Sequence, residues 1–166
     1  MTTLRSLLFL LLFSVWSAVL AILCTPILLG PARWTLAMFH FWGRGIVIML
    51  RICGIRVEVR GRENIPKGAA LVAAKHLCMF DVFAQFTWLP GSVFVMKKEL
   101  NLIPWFGWYA AKVGTIDIDR SGHSAALKAM VRRAKALFAK GRQVVIFPEG
   151  HRGTPGQAGD YKPGVA

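Results

Sequence analysis

The chain has 166 residues, 55% of them hydrophobic, and carries 21 Lys and Arg against 8 Asp and Glu, a formal net charge of +13. That length suits one domain plus an anchor. The charge calls for an anionic partner, and the apolar N-terminus makes membrane phospholipid a better fit than nucleic acid, for which no binding module is present. Cys24, Cys53 and Cys78 lie far apart with no C-x-x-C pair, which argues against a disulfide framework or a zinc site.

From Ser6 to Ala32 no residue is charged, and Leu7 to Leu29 supplies the roughly 20 apolar residues of a membrane helix. The run exceeds the apolar core of about 7–15 residues typical of a cleaved signal, and bulky Leu23 before Cys24 argues against a lipoprotein signal. Pro26 is expected to kink its last turns and Gly30-Pro31 to end it. A second apolar stretch, Trp34 to Ile52, carries Arg44 and Arg51 and therefore suits the interface or the second arm of a hairpin dipped into one leaflet. Only Arg5 precedes the first span, whereas Arg33, Arg44, Arg51, Arg56, Arg60 and Arg62 follow it. The positive-inside rule then predicts that the C-terminal domain faces the cytoplasm. Residues 1–53 read as a membrane anchor and 54–166 as the domain it carries.

Ile55 to Arg60 alternates polar and apolar and predicts a strand. The run Ala69 to Ala74 after Pro66-Lys67-Gly68 predicts a second strand, and Phe80 to Trp88 a helix closed by Pro90-Gly91. Ser92 to Met96 predicts another strand. Leu102 to Tyr109, aromatic and broken by Pro104 and Gly107, suits a lipid interface or the core equally well. Val113 to Arg120 alternates after its glycine. From Ser121 or Ser124 a helix is expected with an apolar stripe of Leu127, Met130, Val131, Ala134, Leu137 and Phe138. Its bases Lys128, Arg132, Arg133 and Lys135 read as a solvated face. Gln143 to Phe147 predicts the last strand. Strands alternating with helices predict an α/β domain with a mixed sheet flanked by helices, behind a hydrophobic helix or helical hairpin.

Three strand ends carry chemistry. His76 leaves one strand five residues before Asp81. Residues five apart in one helix cannot touch, but with His76 in the loop and Asp81 in the first helical turn the carboxylate can fold back onto the imidazole and make it a general base. Asp119-Arg120 ends a second strand, and Phe147-Pro148-Glu149-Gly150-His151-Arg152 follows a third. A base, two guanidiniums and a glycine N–H suit a substrate with a hydroxyl to deprotonate and a phosphate to hold. Cys78 beside His76 is a weaker nucleophile candidate, because its sequence neighbours offer nothing to activate the thiol.

From Ile55 to Gly164 the sequence resembles the membrane-bound glycerolipid acyltransferases, in particular the 1-acylglycerol-3-phosphate acyltransferases. His76-x4-Asp81 is similar to the first family block, Gly114 to Arg120 to the second, Phe147 to Arg152 to the third, and Tyr161-Lys162-Pro163-Gly164 to the segment after it. The resemblance implies transfer of an acyl group from acyl-CoA or acyl-carrier protein, as co-substrate and with no cofactor or metal, to the sn-2 hydroxyl of lysophosphatidic acid. His76 would be the base and Asp81 its orienter. Arg120 and Arg152 would hold phosphate with Gly150 N–H assisting, and Glu149 would contact the acceptor's glycerol. The setting implied is a bacterial-type inner membrane. Lys75 and Cys78 stand where the family commonly has Asn and a small polar residue, and His151 stands where it has Thr. Those departures also fit another lysolipid acceptor, such as a lyso-ornithine lipid, while a chain shortened at its C-terminus also fits an inactive basic membrane-binding fragment. The family continues past the point where this chain stops, so the domain is expected to lack its C-terminal part, with the Val144–Phe147 strand left at an unpaired apolar edge.

Overall fold

A computed structural model describes residues 2–89, 91–119, 123–157, 159, 161 and 162, and of residue 123 only the backbone. Two long helices open it, α1 (Thr2–Leu23) and α2 (Ala32–Ile52), joined by a 3-10 turn at Thr25–Leu29 with Pro26 in its first positions. Pro26 therefore starts a turn instead of kinking a helix, because its missing N–H costs nothing where no intrahelical partner exists. Helix α1 is apolar on every side, and only Leu20 is buried. In contrast, α2 buries one stripe, Thr35, Phe39, Gly43, Ile46 and Leu50, at the spacing of a helix face packed on protein.

That stripe lies on α3 (Phe80–Trp88). Phe39 stacks on Phe86 with centroids 4.6 Å apart, and the Trp42 ring meets Phe83 edge-on at 5.0 Å. Gly43 permits the close approach, since a Cβ there would come within 2.5 Å of Thr87 Oγ1. The indoles hold the hairpin together: Trp16 Nε1–H donates to the Trp42 carbonyl (3.2 Å) and Trp42 Nε1–H to Ser17 Oγ (3.0 Å).

Among the described residues four strands follow: β1 (Ala70–Ala73), β2 (Val93–Lys97), β3 (Ile116–Ile118) and β4 (Gln143–Ile146), in the spatial order β1-β4-β2-β3. All three pairings are parallel, where a mixed sheet was expected. The last strand in sequence occupies the interior, so the expectation of an open edge there is corrected. Among the described residues the edges are β1 and β3, and Val144 and Val145 have no solvent exposure, as a strand covered on both faces requires. The β1–β2 and β2–β3 crossovers step in one direction and the β3–β4 return in the other. Right-handed connections then place α3 and α4 (Phe106–Val113) on one face with α2, and α5 (His123–Phe138) on the opposite face.

Three local expectations change. Residues 55–60 form no strand, because Val57 packs into the cluster of Ile46, Leu50 and Phe83 under the hairpin and no neighbouring strand meets them. The aromatic stretch divides: Tyr109 is core and donates its hydroxyl to the Ala21 carbonyl (2.8 Å), whereas Leu102, Ile103 and Trp108 are exposed. The α5 stripe is narrower than expected. Met130 and Leu137 are buried with Ala134 and Phe138 against them, but Leu127 and Val131 are exposed. Arg133, though still partly exposed, clamps β3 through Asp117 Oδ1 (2.6 Å) and the Thr115 carbonyl (2.8 Å).

Helix α2 thus belongs to the core, and α1 has little to bury against protein. Phe39→Ala should lower unfolding stability in detergent by about 3–5 kcal/mol, the usual range for a truncated core aromatic. Leu11→Ala, at a position 61% exposed on α1, should change it by less than about 0.5 kcal/mol while weakening vesicle binding. Denaturant titration and flotation measure the two.

Candidate active site

The pairing of β1 with β4 sets Ala73 opposite Ile146. Three residues beyond each partner stand His76 and Glu149, so the register alone brings the ends of two strands together at the carboxyl edge of the sheet, where open α/β sheets gather their ligands. The contact is direct: His76 N–H donates to Glu149 Oε2 at 2.9 Å.

Asp81 enters from the first turn of α3. Its Oδ2 accepts the main-chain N–H groups of Leu77 (2.5 Å) and Cys78 (2.8 Å) and lies 3.1 Å from His76 Nδ1. The turn 76–78 is therefore wrapped around one carboxylate oxygen, which is why a spacing of five works here. A carboxylate only accepts, so Nδ1 carries the proton and Nε2 the lone pair. Burial pushes the Asp81 carboxyl up, but the hydrogen bonds from Cys78, the His76 ring and Leu77 outweigh it and hold the group below the ordinary carboxylate range. The imidazole and carboxylate side chains keep 18% and 19% of their surface in solvent, enough to be reached from outside. The His76 ring also stacks on Phe147, with centroids 4.4 Å apart. Cys78 is exposed, and its thiol turns to Asp81 Oδ1 (3.6 Å).

The segment returning from β4 closes over this turn. Gly153 N–H donates to the His76 carbonyl (2.8 Å), Lys75 Nζ to the Gln157 carbonyl (2.7 Å) and Lys162 N–H to the Pro148 carbonyl (3.0 Å). Glu149 lies beneath it with no solvent exposure. Arg152 is exposed on the same segment, and Gly150 sits in the tight turn between them. Arg120, with Pro163 and Gly164 of the fourth motif, falls outside the described residues. Its neighbour Asp119 stands at the end of β3, 3.8 Å from Lys98 Nζ at the end of β2. Among the described residues no three His, Cys, Asp or Glu side chains converge as a metal site.

The sequence brought forward His76, Asp81, Glu149, Gly150 and Arg152, and the structure brings His76, Asp81 and Glu149 into one hydrogen-bonded group. It also adds partners that sequence reasoning missed. Lys75 looked like a mere departure from a motif, yet it ties the His76 loop to Gln157. Phe147 looked like the last core residue of a strand, yet it forms the floor under the imidazole. A residue closing a parallel strand beside a motif was the available signal.

A family model described as acyltransferase matches residues 56–166. The chain is 37% identical to the 1-acyl-sn-glycerol-3-phosphate acyltransferase of Pseudomonas aeruginosa over 96% of its own length and 63% of the relative's. It is 30% identical to the enzyme of the same name from Saccharomyces cerevisiae, over 82% of this chain and 44% of that one. The chain therefore spans less than two thirds of either relative. The crystal structure of the 1-acyl-sn-glycerophosphate acyltransferase PlsC from Thermotoga maritima shares the fold, with a TM-score of 0.78 at 24% identity over 98% of this chain and 68% of that one.

The depressed Asp81 carboxyl has a consequence for stability. Its contribution is fully present above the unfolded value, near 3.8, and is lost as pH falls through the lower folded value. Asp81→Asn should therefore flatten the acid fall of the denaturant midpoint below about pH 5. An unchanged slope would show that Asp81 is not held as described.

Proposed function

The chain belongs to the acyltransferase family, and from that premise we propose that it moves a fatty acyl group from an acyl thioester to the sn-2 hydroxyl of lysophosphatidic acid, giving phosphatidic acid. The observation that carries the reading is the contact of His76 Nδ1 with Asp81 Oδ2 at a solvent-reachable strand end. With Nδ1 engaged, Nε2 is the ring's free base.

In this mechanism His76 Nε2 takes the acceptor's hydroxyl proton as the oxygen attacks the thioester carbonyl. The C–S bond breaks, and the departing thiolate receives that proton from the imidazolium, so the base is regenerated without a covalent acyl-enzyme. Asp81 holds the ring in the productive tautomer and stabilises the imidazolium between the two transfers. Exposed Arg152, with Arg120, binds the acceptor's phosphate; the Gly150 N–H, expected to assist, is instead given to the Phe147 carbonyl at 3.0 Å. The donor is acyl-CoA or acyl-carrier protein, and the reaction calls for no cofactor.

The site works at a membrane. Two helices are long and apolar enough to cross one, and only 6% of the apolar window of α1 is buried. A hairpin dipped into one leaflet fits better than two full spans, because the buried stripe of α2 is taken up by α3 and the core. The bases that follow α1 in sequence favour the cytoplasmic leaflet of a bacterial-type inner membrane. Phospholipid is then both the surface and the source of the acceptor.

Two substitutions examine the chemistry. His76→Ala should cut acyl transfer by about 10²–10⁴-fold while the protein still floats with vesicles; retention of most wild-type turnover would remove His76 as the base. Arg152→Ala should raise the acceptor's KM by about 10–150-fold, the worth of one charge-assisted hydrogen bond, with the donor's KM little changed. A selective effect on the donor would move Arg152 to the thioester's side of the site.

A further inference from the structure

Among the described residues, Glu149 is the largest polar side chain with no solvent exposure. One of its oxygens accepts His76 N–H at 2.9 Å, and the other has no hydrogen-bond partner among the described residues. Over it lies the backbone of Gly159, so close that a Cβ at that position would stand 2.6 Å from Glu149 Cγ and 2.9 Å from Oε1. A carboxylate closed in from that side is poorly placed to meet the acceptor's glycerol. It is well placed to determine where the main chain of His76 stands.

We propose that Glu149 is a positioning residue for the His76 base, latched shut by the return segment that Gly159 belongs to. The inference rests on the acyltransferase reading for its effect on turnover, though not for its geometry. The ring and its loop are fixed at two points by two carboxylates. Asp81 holds Nδ1 and the N–H groups of residues 77 and 78; Glu149 holds the N–H of residue 76 itself. Without Glu149, the turn keeps its fold around Asp81 but can slide along the end of β1. Gly153 on the His76 carbonyl and Lys75 on the Gln157 carbonyl add bonds between the same two segments. Gly159 supplies the lid because only a residue without a side chain leaves room for the carboxylate to reach His76. A shift of about 1 Å in a general base is enough to cost on the order of 10²-fold in rate.

The test compares wild type, E149A, E149Q and G159A as the 166-residue chain in vesicles. For each, kcat and the acceptor's KM are measured with lysophosphatidic acid and an acyl-CoA, along with amide exchange of a peptide spanning residues 74–79. Thiol labelling of buried Cys53 reports the folded fraction. E149A should lose about 10–100-fold in kcat, keep the acceptor's KM within about threefold, and exchange faster at 74–79 while Cys53 stays protected. E149Q should recover most of both, because the amide oxygen can accept the same N–H. G159A should behave like E149A although it removes no polar group. The proposal is overturned if E149A raises the acceptor's KM with kcat held, if E149Q is as impaired as E149A, or if G159A matches wild type in both readouts. Should E149A expose Cys53, the other two variants decide. Absence of transfer by wild type, with exchange still faster in E149A and G159A, would remove the acyltransferase reading and leave the latch standing.

Discussion

The parallel pairing of β1 with β4, in the register Ala73 to Ile146, is the constraint from which the site follows. Parallel strands present their carboxyl ends at one edge, so residues equally far past the ends of paired strands become neighbours. His76 and Glu149 are such a pair, and the hydrogen bond between them is the register continued one step beyond the sheet. Because side chains alternate across a strand, a slip of one residue would turn Val144 and Val145 to opposite faces and remove Glu149 from the His76 amide together. The apolar core therefore enforces the geometry of the polar edge. Phe147 shows the coupling in one residue: it packs on Phe94 within the domain, 6.1 Å between centroids, and carries the imidazole on its ring.

A second coupling joins lipid to protein. Helix α2 buries Phe39 and Ile46 in the domain, while α1 exposes leucines along almost its whole length. The two are bound by indole hydrogen bonds that leave neither N–H open to hydrocarbon, as an apolar surround demands. At the turn between the helices, Trp105 Nε1–H donates to Thr25 Oγ1 at 3.1 Å, and Trp105 adopts a positive φ of 59° to do so. Such a conformation costs about 1–3 kcal/mol in a non-glycine residue, and the tertiary contact offsets it. The hairpin is thus docked along the domain at α3 and again at α4, so its attitude in a membrane sets the attitude of the strand ends.

Much of this was legible beforehand, where one local rule decided the outcome. The α3 boundaries follow from an apolar helix closed by Pro90-Gly91, and the β4 run from a short continuous stretch of valine and isoleucine. The His76–Asp81 contact follows from placing one residue before a helix and the other in its first turn. What escaped were choices made by non-local partners. Alternation at 55–60 is the pattern of a strand, but Val57 finds its burial under the hairpin. Arg133 reads as a surface base in a run of bases, and only the fold shows that Asp117 is within its reach. The parallel order of the sheet is a matter of topology, which periodicity does not encode. Glu149 was visible as a motif residue, but its burial was not, since that depends on a backbone ten residues away at Gly159.

The interior position of β4 also bears on how the molecule is made. Strands β1 and β2 are each complete by residue 97, yet in the finished sheet they do not touch; the strand between them is synthesised last of the four. At about 5–20 residues per second, the gap must stand open for several seconds after β2 leaves the ribosome. During that interval the backbone edges destined for β4 are exposed, and the long loop closure that fills them is intrinsically slow. The hairpin precedes the sheet in the chain and is apolar enough to enter a bilayer, so the half-built sheet would wait tethered at a surface, dilute with respect to its own kind. The polar strand-end cluster forms only when the missing strand is threaded home, and the order of synthesis itself then keeps an incomplete chain from bringing Glu149 to the His76 amide.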